Sequence, residues 1–350
     1  MTSGLPRRDL PVHEQRASVA VMVSRADIAA AAQRISPHVR HTPLLRVAGT
    51  ELGVACPVTL KLELLQHAGS FKPRGAFNRL LSAASREAGD PVSGAPLTGV
   101  HASGALAAGV IAASGGNHGA AVAYAARTLG LAAEIFVPEL TPAAKVARIA
   151  SYGARVLQTG ATYAEALAAS RLRQAETGAL EVHAYDHADV LAGQGTVARE
   201  FELDAPELTH VLVATGGGGL IGGMAAWYAG SVAVISVEPE GCPGLHHALR
   251  AGRPVAAPVG GAAADSLGAR QVGGLMFPLA QSYVADAVLV TDDAILAAQR
   301  VLWENCRVIA EPGGACALAA LLSGAFVPPP GARVGVLVCG GNTDPAKVTA

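Results

Sequence analysis

The sequence predicts an open α/β fold, with parallel-rich sheets carrying helices on both faces. Several apolar runs, Gly109–Ser114 and His210–Thr215 among them, are continuous in their interior rather than alternating. That is the pattern of parallel strands buried on both sides. These runs also recur in one unit, a β-rich run followed by a glycine-containing turn and an alanine-rich helical stretch, and such alternation builds an α/β sheet. The 350 residues allow two lobes, each large enough to bury a core.

Taken in order, the strand candidates are Val58–Glu63, Gly109–Ser114, Ala133–Val137, Arg155–Gln158, Glu181–Tyr185, His210–Thr215, Ala233–Glu238, Ala287–Val290 and Arg333–Cys339. Helices are expected between them. Ser24 with Asp27 forms a capping pair, and Thr291-Asp292-Asp293 opens a helix with negative charge at its positive end. Thr141-Pro142 reads as an N-cap followed by proline at the first helical position, with Gly153 as the stop. Ala83–Leu106 lacks periodicity and is expected to be a loop insertion; Pro328-Pro329-Pro330-Gly331 is a connector before the last strand. Residues 1–20 are expected to be a disordered extension.

Composition excludes several classes of function. A formal net charge of -1 gives no electrostatic footprint for nucleic acid or an anionic membrane. The apolar stretch Ala17–Val23 is too short to span a bilayer, and Arg7-Arg8 lacks the apolar run of a leader, so a cytoplasmic protein is expected. Cys56, Cys242, Cys306, Cys316 and Cys339 are scattered with no CxxC pair, which argues against disulfides and structural zinc.

Three glycine-rich turns carry the chemistry. In Gly69-Ser70-Phe71-Lys72-Pro73-Arg74-Gly75-Ala76, Lys72 falls at a helix start. A lone lysine is usually a surface cation, but the positive end of the helix dipole eases deprotonation, which an imine-forming amine requires. Ser114-Gly115-Gly116-Asn117-His118-Gly119 follows a strand and opens the helix Ala120–Leu129; its free N–H groups suit a carboxylate or phosphate. Thr215-Gly216-Gly217-Gly218-Gly219-Leu220 follows another strand, and four glycines in a row suit an N–H nest around a phosphate. Gly217-x-Gly219-x-x-Gly222, with Glu238 ending the next strand, also matches a dinucleotide fingerprint. Its place past mid-chain, and the Lys72 and Asn117 turns that hydride transfer does not need, count against NAD.

Together these turns resemble the serine/threonine dehydratase and serine racemase group of fold-type II pyridoxal-phosphate enzymes. The likeness runs from Arg40-His41-Thr42-Pro43-Leu44-Leu45 through Lys61-Leu62-Glu63, the Lys72 and Asn117 turns, Ala192-Gly193-Gln194-Gly195-Thr196, Gly216–Gly219, Val237-Glu238-Pro239 and Glu311-Pro312 to Cys339-Gly340-Gly341-Asn342. The resemblance implies that Lys72 forms the Schiff base with pyridoxal 5'-phosphate, with Phe71 packed beside it. It implies that Asn117 bonds the ring hydroxyl, that the backbone of Ser114, Gly115, Gly116, Asn117 and His118 holds the substrate carboxylate, and that Gly216, Gly217, Gly218 and Gly219 cradle the phosphate. Cys339 would stand beside the pyridine nitrogen and Glu311 near the ring, in a role the sequence leaves open. The implied reaction is α,β-elimination from a small hydroxy-amino acid, L-threonine or L-serine, to a 2-keto acid and ammonia. A neutral thiol at Cys339 stabilises a protonated ring poorly, which favours elimination over transamination.

Two departures qualify the resemblance. Racemising relatives have a second serine in the Asn117 turn where this chain has Gly115, so weak or absent racemase activity is expected. Cation-binding relatives use a glutamate, a carbonyl and an aspartate; Glu238 and Cys242 match, but Gly244 replaces the aspartate, and no metal is expected. Hydroxyaspartate or phenylserine dehydration and serine racemisation remain the alternatives on the same scaffold. Smaller questions also stay open: Glu63 pairs with Arg74 or with Lys61, and the spacing of His183 and His187 suggests ligands but fits a polar loop better. The fold the resemblance implies, like that of the tryptophan synthase β chain, is a large cofactor lobe from residues 1–106 and 187–350 and a small substrate-closing lobe from 107–186. A homodimer is usual in the group.

Overall fold

The computed structural model describes residues 23–89 and 103–349, so the expected N-terminal extension and residues 90–102 of the expected loop insertion lie outside the described residues. Among the described residues ten strands form two sheets. They are β1 (Leu44–Val47), β2 (Val58–Lys61), β3 (Val110–Ala113), β4 (Ala133–Val137), β5 (Arg155–Gln158), β6 (Leu180–Glu181), β7 (His210–Ala214), β8 (Ala233–Pro239), β9 (Val284–Val290) and β10 (Val334–Leu337). The six-stranded sheet has the order β1-β2-β10-β7-β8-β9, the four-stranded one β5-β4-β3-β6. Every pairing is parallel except β1 with β2. β2, β3 and β10 are buried at every position, as the continuous apolar run of β3 requires.

Each sheet has its own core. Around the first pack Val58, Leu60, Val211, Leu212, Val336 and Leu337; around the second, Val110, Ile135 and Val137. Phe77, Leu80 and Leu81 of the helix Lys72–Glu87 belong to the second core, although the chain enters this helix from β2 of the first sheet. Lys72 therefore starts a helix wedged between the two sheets. Among the described residues no helix is long and apolar enough to cross a membrane.

Most elements stand where the sequence places them. Ser24 and Asp27 make a reciprocal capping box, and the Thr291 hydroxyl accepts from Ala294 N–H. Four differences have physical causes. The Lys72 helix runs on to Glu87, into the expected insertion, because Ala83, Ala84 and Ser85 lie on its buried face. The helix at Thr141-Pro142 begins at Ala143, because it is the Pro142 carbonyl that accepts the first helical N–H, from Val146, and Pro142 is therefore the cap. β6 stops at Glu181 because His183 Nδ1 accepts the N–H groups of Tyr185 and Asp186 and turns the chain away. β1 has no counterpart among the strand candidates: four residues at an antiparallel edge carry too little pattern to register.

Candidate active site

Lys72, Phe71, Asn117, Gly216, Gly217, Gly218, Gly219, Glu311 and Cys339 converge on one cavity of about 460 Å³, at the ends of strands from both sheets. Lys72 is the first residue of its helix, and Phe71, its cap, lies beneath the amine with Nζ 5.1 Å from the ring centroid. Nζ donates to the Ala184 carbonyl at 2.9 Å. Burial lowers the Lys72 amine from 10.5 to about 8, against the opposing pull of Cys339 and Glu311. That brings it within reach of a neutral, nucleophilic form.

The tetraglycine turn links β7 to the helix Gly219–Tyr228. Among the described residues nothing accepts from the N–H groups of Gly217, Gly218 or Gly219, which leaves an open nest at a helix start. Side chains are excluded: Gly218 has φ +89, a Cβ on Gly216 would meet the Leu267 carbonyl oxygen at 2.8 Å, and one on Gly217 the Tyr185 ring at 2.3 Å.

In the Asn117 turn, Ser114 N–H is committed to the Phe136 carbonyl and Gly116 N–H to the Ser114 hydroxyl at 3.2 Å. The expected carboxylate site thus narrows to the N–H groups of Gly115, Asn117 and His118, which have no acceptor among the described residues. The helix starts at Asn117, three residues earlier than expected, so this side chain projects from the first turn. Asn117 Nδ2 donates to Glu311 Oε1 at 2.6 Å, and Asn342 Nδ2 donates to Asn117 Oδ1 at 2.5 Å. Glu311 thereby holds the side-chain amide of Asn117. Its own carboxyl is pushed up to about 7 by burial. His118 is buried, its Nε2 donates to Val182, and desolvation with Lys72 nearby lowers it to about 3; it is a neutral structural group. Cys339 is likewise neutral, because burial and Glu311 raise its thiol well above the ordinary value; its Sγ donates to Gly313 O at 3.4 Å.

Beneath the site lies a buried ion network. Arg74 Nε and Nη2 grip Glu63 at 2.8 Å each, and Nη1 meets Glu200 at 2.7 Å. Lys61 pairs with Glu200 and Asp204 instead, so Glu63 belongs to Arg74.

The remaining candidates lie elsewhere. Both Glu238 oxygens accept N–H groups, from Leu245 at 2.6 Å and His246 at 2.7 Å, and burial raises the carboxyl to about 8. A carboxylate so engaged does not serve a ribose, which removes the acidic partner of the dinucleotide fingerprint, and it caps a helix rather than facing a cation. Cys242 Sγ donates to Gly260 O. His183 and His187 spend their Nδ1 atoms on backbone N–H groups, and no cluster of three potential metal ligands occurs among the described residues. Residues that the sequence did not single out are Tyr185, Ser266 and Leu267, which line the cavity, and Ala184, whose carbonyl receives Lys72. A main-chain acceptor leaves no trace in side-chain pattern. Asn342 was visible in its motif but without a role.

The open nest, the desolvated amine and the neutral thiol are together the donor set for a phosphate-bearing pyridine aldehyde, and the residues present fit pyridoxal phosphate. Comparison with known proteins agrees. An L-threonine ammonia-lyase of Geobacter sulfurreducens is 38% identical over 314 residues, covering 89% of this chain and 73% of that protein. The structure of maize serine racemase superposes with TM-score 0.82 at 32% identity, covering 93% of this chain and 96% of the other. The crystal structure of a T.th. threonine deaminase gives TM-score 0.80 at 34% identity, covering 92% of this chain and 99% of the other. A family model described as pyridoxal-phosphate dependent enzyme matches residues 35–340, and the chain belongs to that family.

Proposed function

We propose that this protein is a threonine/serine ammonia-lyase, converting L-threonine to 2-oxobutanoate or L-serine to pyruvate, with release of ammonia. One observation carries the reading: the Lys72 amine shares a cavity with Asn117, Cys339 and an N–H nest. The threonine ammonia-lyase and threonine deaminase relatives support it. Bound in that cavity, pyridoxal phosphate supplies the electron sink for cleavage at the substrate Cα. The N–H groups of Gly216, Gly217, Gly218 and Gly219 would hold its phosphate. The substrate carboxylate sits on those of Gly115, Asn117 and His118, which presents the Cα–H bond to Lys72. Lys72 Nζ, close to neutral by desolvation, takes the α-proton as general base. Glu311 and Asn342 fix the side-chain amide of Asn117 from both ends. Cys339 is itself neutral, and a neutral thiol would stabilise a protonated ring poorly, which favours loss of the β-hydroxyl.

Lys72→Ala is expected to abolish keto-acid formation from both substrates, by at least about a thousandfold, and to prevent borohydride trapping of the cofactor on the Lys72 peptide. Undiminished keto-acid production by that variant overturns the assignment. The racemase relatives offer a second reading, against which Gly115 stands. That position offers no hydroxyl to return a proton from the opposite face, so D-serine formation from L-serine is expected to be slow beside pyruvate formation in a coupled chiral assay. A cytoplasmic homodimer and a small lobe over residues 107–186 closing on a larger one complete the proposal.

A further inference from the structure

The tetraglycine turn can receive a phosphate only if its peptide planes point the right way, and glycine leaves those planes free to turn. One of them is held from outside the turn. Gly273 N–H donates to the Gly217 carbonyl at 3.0 Å. In a trans peptide the carbonyl and the following N–H point in opposite directions. Drawing the Gly217 oxygen to Gly273 therefore turns the Gly218 N–H the other way, towards the cavity that Gly217 and Gly218 line.

Gly273 belongs to no helix or strand, so no backbone ladder fixes it. Its neighbour Val272 is buried in the first core, which anchors the segment without setting a peptide plane. Asp186 fixes the two peptides that follow. It lies between β6 and the helix Ala188–Asp204, and its Oδ2 accepts from Gly274 N–H at 3.0 Å while Oδ1 accepts from Leu275 N–H at 2.9 Å. The carboxylate comes so close that a Cβ on Gly273 would meet Oδ1 at 2.6 Å. Asp186 is itself set by His183, whose Nδ1 accepts its N–H at 2.8 Å. Tyr185 works on the same segment: its ring lies against Gly217, and its hydroxyl donates to Gln271 O at 3.3 Å.

We propose that Asp186 is a positioning residue for the cofactor phosphate: by holding residues 273–275 it keeps the Gly217 carbonyl turned outward and the Gly218 N–H turned to the phosphate. The inference rests on the binding of pyridoxal phosphate and not on the choice of amino-acid substrate. The sign of the effect separates positioning from charge. By charge alone, an anion on this side of the nest opposes a phosphate, and its removal would tighten binding. By geometry its removal frees the Gly217 peptide to turn, and binding weakens.

The test compares pyridoxal phosphate with pyridoxal, which carries the same aldehyde and no phosphate. Each is titrated by absorbance into the full-length protein freed of cofactor, and the ratio of dissociation constants (pyridoxal over pyridoxal phosphate) is followed in Asp186→Ala and Asp186→Asn. The ratio is expected to fall about tenfold or more in Asp186→Ala, through weaker binding of pyridoxal phosphate with pyridoxal little changed, as for loss of charge-assisted hydrogen bonds. Asp186→Asn, which keeps one oxygen acceptor, is expected to fall less. Gly273→Ala, which displaces the carboxylate, is expected to follow Asp186→Ala. Equal weakening of both ligands marks a general role in stability, and an unchanged or raised ratio means that the nest needs no outside support; either result overturns the proposal. Should Asp186→Ala bind neither ligand, Asp186→Asn decides by the same comparison.

Discussion

Glu311 shows how a single buried carboxyl serves the site at a cost in stability. Its ordinary value is 4.5 and burial raises it to about 7. The unfolded chain releases this proton near pH 4.5, while the folded protein holds it until near 7. Between those limits the native state binds more protons, so this group's contribution to stability falls as pH rises through the window, by up to about 3 kcal/mol. Below 4.5 the contribution is level, and above 7 the loss is complete. Glutamine keeps an acceptor for Asn117 without the titration. Glu311→Gln is therefore expected to unfold at higher urea than the wild type at pH 8, with the advantage shrinking towards pH 4.5. An advantage independent of pH contradicts this account.

At the scale of elements, the Lys72 helix is held by charge as well as by apolar packing. Arg74 in its first turn is fully buried between Glu63, just after β2, and Glu200 on the helix Ala188–Asp204. Both carboxylates hold the guanidinium charged against the effect of desolvation. Removing the cation strands Glu63, which is completely buried. Arg74→Met is expected to lose about 3–5 kcal/mol by chemical denaturation, and the pair Arg74→Met with Glu63→Met to regain part of it, because the unpaired charge is the larger penalty. If the double variant is no more stable than the single one, lost packing outweighs the stranded charge.

For the molecule as a whole, the two sheets are bridged by a visible contact. Lys145 beside the second sheet meets Asp265 beside the first, and Arg148 reaches the Ala68 carbonyl ahead of the Lys72 turn. The Lys145–Asp265 pair is half open to water and is worth at most about 1 kcal/mol. Asp265→Ala is expected to lower kcat/KM by no more than about fivefold, and the difference from wild type should vanish in molar salt, where exposed pairs are screened. A larger, salt-insensitive loss would place Asp265 in contact with substrate.

The sequence by itself determined the α/β class, the parallel strands and the three glycine turns, because continuous apolar runs and successive glycines are local signals. It also supplied Lys72, Asn117 and Cys339, which carry their chemistry in their identity. Only the tertiary structure decided that Glu238 caps a helix, that Glu63 answers Arg74 rather than Lys61, and that Ser114 has no N–H to spare. It likewise brought Tyr185 and Arg148 to the cavities and the Ala184 carbonyl to Lys72. Each of these depends on partners well separated along the chain or on main-chain atoms common to every residue, and such pairings exist only once the two sheets have closed on the Lys72 helix.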